Sequence, residues 1–164
     1  PKIYLNNQDL IKDHHARVCG ILLFCDEPAI FLPKRSSIKL MRYRTNDGDI
    51  GREFLEGNPI TIEGDLYNLI YNAVSATKGI IENIKKLGEE GFESIEYPEV
   101  ALHEVITNAV LHRDYSIVSD VQIRIFDNRI EIENPGKLPG HVTTKNILDT
   151  QSARNPAIVR LINK

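Results

Sequence analysis

Apolar residues along the chain follow two rhythms. Between residues 66 and 84, Leu66, Leu69, Ile70, Ala73, Val74, Ile80, Ile81 and Ile84 keep a 3.6-residue period over about five turns, which predicts an amphipathic helix. A second helix is predicted around 98 to 113, where Leu102, Val105, Ile106, Ala109 and Val110 share one face and would be buried. Pro98 stands near its start, where a missing N–H costs least. Between 121 and 134 the period drops to two. Val121, Ile123 and Ile125 alternate with polar residues, as do Ile130 and Ile132 after Asp127-Asn128. This predicts a hairpin, with Asp127 and Asn128 supplying the positive φ of a tight turn.

The remaining segments are shorter. "RVCGILLFC" (17 to 25) predicts a buried strand with a glycine inside it, and "IKLMRYR" (38 to 44) a second, basic strand. "TNDGD" (45 to 49) carries turn chemistry, "GEEGFES" (88 to 94) reads as a loop, and "NPGKLPG" (134 to 140) is irregular. A short helix at about 155 to 163 closes the chain. There is no internal repeat. A boundary is expected near 55 to 62, with a small α/β piece before it and a helix-on-sheet layer after it.

With 41% hydrophobic and 26% charged residues, the composition is that of a globular protein. Apolar runs such as "GILLF" are too short to span a membrane, and no leader is evident, so the expected location is the cytoplasm. An initial proline suggests a piece of something longer. The net charge of −3 argues against a chain that grips nucleic acid over its whole surface. Residues 1 to 44 nevertheless hold eight Lys+Arg and four Asp+Glu, a local +4, which a basic binding face or an ordinary solvated surface explains equally well. Cys19 and Cys25, six residues apart in the expected strand, are too distant to bond and fit no metal spacing; buried free thiols are expected.

Candidate chemistry concentrates on the second helix. "HE" at 103 and 104 lacks the second histidine of a zinc protease, since Thr107 stands there. "HRD" at 112 to 114 lacks the asparagine of a kinase catalytic loop, since Ser119 stands there. His14 and His15 are expected at the surface. What remains is a polar stripe of Glu104, Asn108 and His112, each four residues from the last and so neighbours on one face. An amide oxygen is a hard ligand for Mg²⁺, and a carboxylate one turn away can orient or deprotonate a water. Spacing alone fits a solvated helix face or a capping network as well.

Three runs, "YPEVALHEVITNAVLHRDYS", "VQIRIFDNRIEIENPGKLP" and "SARNPAIVRLI", resemble the ATPase-like domain of bacterial and archaeal transcriptional regulators often labelled ATP-dependent DNA helicase-related, of the GHKL group. Upstream, "ARVCGILLFCDEPAIFLPKRSSIKLMRYR" resembles the end of the Schlafen/Alba-type DNA-binding domain that precedes it in such proteins. The resemblance implies an α/β fold. Residues 1 to 58 would end the nucleic-acid-binding domain, and 59 to 164 would form the first part of a Bergerat-type helix-on-sheet sandwich, truncated at its C-terminal end. It further implies ATP and Mg²⁺ as cofactors, DNA as a partner through other parts of the full-length protein, a winged-helix module beyond the chain, and a homodimer.

Residue by residue, Glu104 and Asn108 match the family's N-box. There the glutamate polarises the attacking water and the asparagine binds Mg²⁺. "ENPGKLP" occupies the place of the family's aspartate-x-glycine-x-glycine turn, so Glu133 stands for the adenine-binding aspartate. Asn134, Gly136 and Lys137 would lie at the nucleotide. Pro135 and Lys137 replace the two glycines that allow close backbone approach. The phosphate-contacting glycine box has no counterpart before Lys164. Glu104, Asn108, Glu133 and "NPGKLP" are therefore expected to line one concave surface. Three functions are consistent with this: a regulator that senses a nucleotide, a Mg-dependent ATPase with Glu104 as general base, and a ligand-free dimerisation scaffold. The glycine-poor turn favours the first or the third.

Overall fold

A computed structural model describes residues 2–48, 51–88, 91–95, 97–138, 142–143, 145–146 and 152–162. Its elements, in chain order, are α1 (Lys2–Asn7), β1 (Ile11–Lys12), β2 (His15–Ala16), α2 (Val18–Phe24), α3 (Pro28–Phe31), β3 (Ile38–Arg42), β4 (Ile60–Ile62), α4 (Leu66–Glu82), β5 (Lys85–Gly88), β6 (Gly91–Ser94), α5 (Glu99–His112), β7 (Val121–Ile125), β8 (Ile130–Glu133) and α6 (Pro156–Ile162). The fold is mixed α/β.

A four-stranded sheet in the order β4-β3-β7-β8 organises the molecule. β3 pairs antiparallel with β4 and parallel with β7, and β7 pairs antiparallel with β8. The pleat sorts the side chains. Ile38, Leu40, Val121, Ile123 and Ile125 are fully buried on the helix side. Gln122 and Arg124 alternate with them and are half-buried. The boundary expected near 55 to 62 falls between β3 and β4, which pair with each other, and β3 also carries the parallel pairing to β7.

The expected amphipathic helices form the layer above. α4 buries Leu66, Leu69, Ile70, Ala73, Val74 and Ile81. Its start is fixed by Asp65, whose carboxylate accepts from the backbone N–H groups of Tyr67 (3.0 Å) and Asn68 (3.2 Å). α5 packs beside α4 and buries Leu102, Ile106, Ala109, Val110 and Leu111. Val105, expected in the core, is 45% exposed. The arc from Ala109 through Leu102 and Ile106 to Val110 fills the contact, and Val105 lies just beyond it.

Four more expectations are corrected. Residues 18–24 form helix α2, not a strand: the apolar run suits either element, and only its length and surroundings decide. Leu22 and Leu23 point inward while Phe24 is exposed. Gly20 lets the helix lie against the chain at Leu10, since a Cβ there would sit 2.5 Å from the Leu10 carbonyl oxygen. Cys19 and Cys25 are free but only half-buried. Residues 88 and 91–94 belong to the antiparallel β5–β6 pair, closed by Gly88 opposite Gly91, while 89 and 90 lie outside the described residues. No Asn-Gly or Asp-Gly signal marks that turn. Finally, neither Asp127 nor Asn128 takes positive φ. The last ladder pair is Ile125 with Ile130, and residues 126–129 form the link. The Phe126 N–H closes it onto the Arg129 carbonyl at 2.8 Å.

Because Ile106 is 1% exposed and Val105 is 45% exposed on the same helix, their truncations should differ. Ile106→Ala should cost about 2–5 kcal/mol and Val105→Ala less than about 1 kcal/mol in urea-unfolding free energy.

Candidate functional site

The polar stripe survives folding as a stripe. Glu104, Asn108 and His112 lie one turn apart along the solvent side of α5 and are exposed. Among the described residues, neither Glu104 nor Asn108 makes a hydrogen bond or ion pair, so both side chains are available to a ligand. No group of three or more His, Cys, Asp or Glu able to hold a metal ion occurs among the described residues. A magnesium ion here would rest on the Asn108 amide oxygen.

Glu133 does not join them. Its ladder partner is Gln122, which places it on the sheet face away from α5. It is exposed there and pairs with Arg124. The expected convergence of Glu104, Asn108 and Glu133 is thus corrected by the period-two alternation of β8. The next residue, Asn134, carries a buried Oδ1 with no hydrogen-bond partner among the described residues.

From Asn134 the chain turns back against the end of α5. The Asp114 N–H donates to the Pro135 carbonyl at 3.2 Å. Gly136 sits at φ +119°, and a Cβ there would lie 2.9 Å from both the Arg154 guanidinium and Asp114 Cβ. Arg154 crosses this turn. One guanidinium nitrogen donates to Asp114 Oδ2 at 2.7 Å and the other to the Lys137 carbonyl. Asn155 donates its amide N–H groups to the carbonyls of Leu111 and Arg113, both at 2.8 Å.

Arg113 completes the junction from below. It is 2% exposed, and its guanidinium donates to the carbonyls of Asp114, Lys34, Ile117 and Ser119. It lies 5.0 Å from the centre of the Tyr115 ring. Burial pulls its pKa below the ordinary arginine value. Tyr115 donates its hydroxyl to the Val110 carbonyl at 3.1 Å, and burial pushes its pKa up. Sequence reasoning singled out none of Arg113, Asp114, Arg154 or Asn155 as site residues. The signal was present: "HRDY" and "SARNP" are the parts of the family-like runs that fold together around "NPGK".

A cleft of about 1000 Å³ opens at the opposite end of the sheet, lined among others by Arg42, Glu56, Asn58, Ile84, Tyr97 and Asp127. Its charges are answered internally. Arg42 pairs with Asp127 and Glu56, and Arg44 pairs with Glu56.

With this geometry in place, comparison with known proteins is informative. Residues 119–164 match the family model described as "Putative ATP-dependent DNA helicase recG C-terminal". The C-terminal part of the chain is similar to a helicase-related, ATPase-like domain. That match spans β7, β8, the Asn134–Lys137 turn and α6; α5, with Glu104 and Asn108, lies just outside it. Among solved structures, the DIP2311 protein from Corynebacterium diphtheriae is similar, with a TM-score of 0.69 and 21% identity over 97% of this chain. At that identity the likeness concerns the fold. The chain spans 31% of that protein's length. No curated protein matches the chain. Among the described residues, no helix is long and apolar enough to cross a membrane.

Asp114 makes the junction sensitive to acid. Its carboxylate accepts from the hydroxyl and N–H of Ser116 and faces Arg154, which together hold its pKa below the ordinary carboxylate value. A group with a lowered folded pKa contributes stability above its unfolded pKa and loses it as pH falls through the folded value. The urea midpoint of the parent should therefore drop more steeply than that of Asp114→Asn below about pH 4, when both are followed across an acid series.

Proposed function

We propose that the chain carries part of a GHKL-like domain in a DNA-binding transcriptional regulator, and that this domain senses a nucleotide rather than turning it over. The observation that carries the reading is the docking of the 134–138 turn on the end of α5 through Asp114 and Pro135. It sets the family-like turn beside the helix that bears Glu104 and Asn108. The Oδ1 of Asn134 is a buried acceptor without a partner among the described residues, and an adenine amino group would reach it once the turn shifts to admit the base. Asn108 would hold Mg²⁺, and the ion would neutralise phosphate charge when bound. Gly136 and Lys137 would flank the base. Glu133, occupied by Arg124 on the other face, is not in the proposed contact set.

Slow or absent turnover follows from the departures. Pro135 and Lys137 stand where backbone would need to approach the nucleotide closely, and the carbonyl of Lys137 is already engaged by Arg154. DNA contacts and self-association belong, on this reading, to other parts of the full-length protein. A second reading, a Mg-dependent ATPase, is favoured by one observation: Glu104 is an exposed carboxylate with no partner among the described residues, one turn from Asn108. On that reading Glu104→Ala in the full-length protein abolishes hydrolysis and leaves the fold intact.

Calorimetric titration of the 164-residue chain with ATP and Mg²⁺ decides among these. Weak binding, with a dissociation constant near or above about 100 μM, is the expected result. A low-micromolar constant, about −8 kcal/mol, would show that the substituted turn is no obstacle. No binding at millimolar nucleotide would leave the ligand-free scaffold.

A further inference from the structure

We infer that Arg154 is a positioning residue: it fixes the Asn134–Lys137 turn against the end of α5 and so sets the place of the Asn134 acceptor. The consequence for ligand binding rests on the nucleotide reading above; the positioning itself does not.

Arg154 bridges the end of α5 and the turn. Its two terminal nitrogens reach two different pieces of chain, the Asp114 carboxylate after α5 and the Lys137 carbonyl at the far side of the turn. A planar guanidinium makes such a two-pronged bridge, whereas a lysine ammonium is a single point donor on a flexible stem. Space under the guanidinium is made by Gly136, where any Cβ would meet it at 2.9 Å. The positive φ of +119° at Gly136 is a second reason for glycine there. Arg154 is itself held in place, because the neighbouring Asn155 amide is anchored on the Leu111 and Arg113 carbonyls at 2.8 Å. The pair is also shielded, with the Arg154 and Asp114 side chains 21% and 30% exposed. A freely solvated surface pair would constrain little. This one clamps a turn between two anchored segments, and α6, which follows directly from Asn155, becomes mechanically part of the site.

The test compares the parent with Arg154→Ala, Arg154→Lys and Gly136→Ala. Three readouts are taken: amide hydrogen exchange, the urea midpoint, and Mg-ATP affinity from NMR shift titration at up to millimolar nucleotide. Arg154→Ala should speed exchange of the Asp114 amide, which is bonded to Pro135, by about tenfold while the β7 amides of Ile123 and Ile125 keep the parent rate. Mg-ATP affinity should fall by about fivefold with little change in urea midpoint. Gly136→Ala should reproduce the loss by displacing the guanidinium, and Arg154→Lys should restore only part of it. Unchanged Asp114 exchange in Arg154→Ala would overturn the inference. So would equal acceleration of Asp114 and the β7 amides, which would mean a global structural role, or full recovery by lysine. If the turn loosens as expected but the parent binds no nucleotide, the positioning stands and the nucleotide reading falls.

Discussion

The end of α5 is the place on which the rest of the structure depends. Within five residues, Leu111 to Tyr115, the chain stops being helical and becomes the anchor for every neighbouring segment. Arg113 turns inward and bonds the carbonyls of Lys34, Ile117 and Ser119, so the loop before β3 and the loop before β7 are held by one guanidinium. Arg113 itself is 2% exposed, and a buried donor left unpaired costs about 1–3 kcal/mol. Asp114 turns outward and takes the 134–138 turn and Arg154. The Leu111 and Arg113 carbonyls, which a helix end leaves without intrahelical donors, are satisfied by Asn155. One junction thus meets three separate needs for backbone hydrogen bonds.

This junction also explains why the polar stripe sits where it does. α5 must bury Leu102, Ile106, Ala109 and Val110 on α4 and the sheet, so the positions two residues out of phase face solvent. Glu104 and Asn108 occupy those positions and are spared any structural partner among the described residues. The junction docks the Asn134–Lys137 turn at the C-terminal end of this helix, beyond His112. On the proposed reading, a ligand face would combine this exposed helix side with the clamped turn, and its precision would depend on the clamp. The large cleft at the other end of the sheet lacks this division of labour, since its arginines and carboxylates are spent on one another.

Periodicity made most of the fold legible in the sequence. The α4 stripe from Leu66 to Ile81, the core face of α5 and the alternation of Val121, Ile123 and Ile125 all register a choice between buried and exposed faces, and burial is what the sequence encodes most strongly. Where burial is nearly isotropic the signal fails. "CGILLF" packs its leucines on one side and leaves Phe24 on the other, and nothing in the run itself separates a short buried helix from a strand. The β5–β6 pair was hidden because no Asn-Gly or Asp-Gly stands in the sequence between its strands. Of the candidate site, the polar stripe of Glu104 and Asn108 follows from helical spacing. The expected convergence of Glu133 with the stripe was not legible, because a strand sends adjacent residues to opposite faces and only the register with Gln122 shows which face it takes. Arg154 and Asn155 stand in the family-like run "SARNP", but their role is a contact across 40 residues or more, which no hydrophobic period announces.

The central claim is that the solvent side of α5 and the clamped turn form one ligand face. Backbone amide shifts recorded during titration with Mg²⁺ and a non-hydrolysable ATP analogue test it directly. The account predicts shifts concentrated at Glu104, Asn108, His112, Asn134 to Lys137 and Arg154, with Arg42, Tyr97 and Asp127 unmoved. Shifts concentrated around Arg42, Tyr97 and Asp127, with the α5 stripe silent, would contradict it.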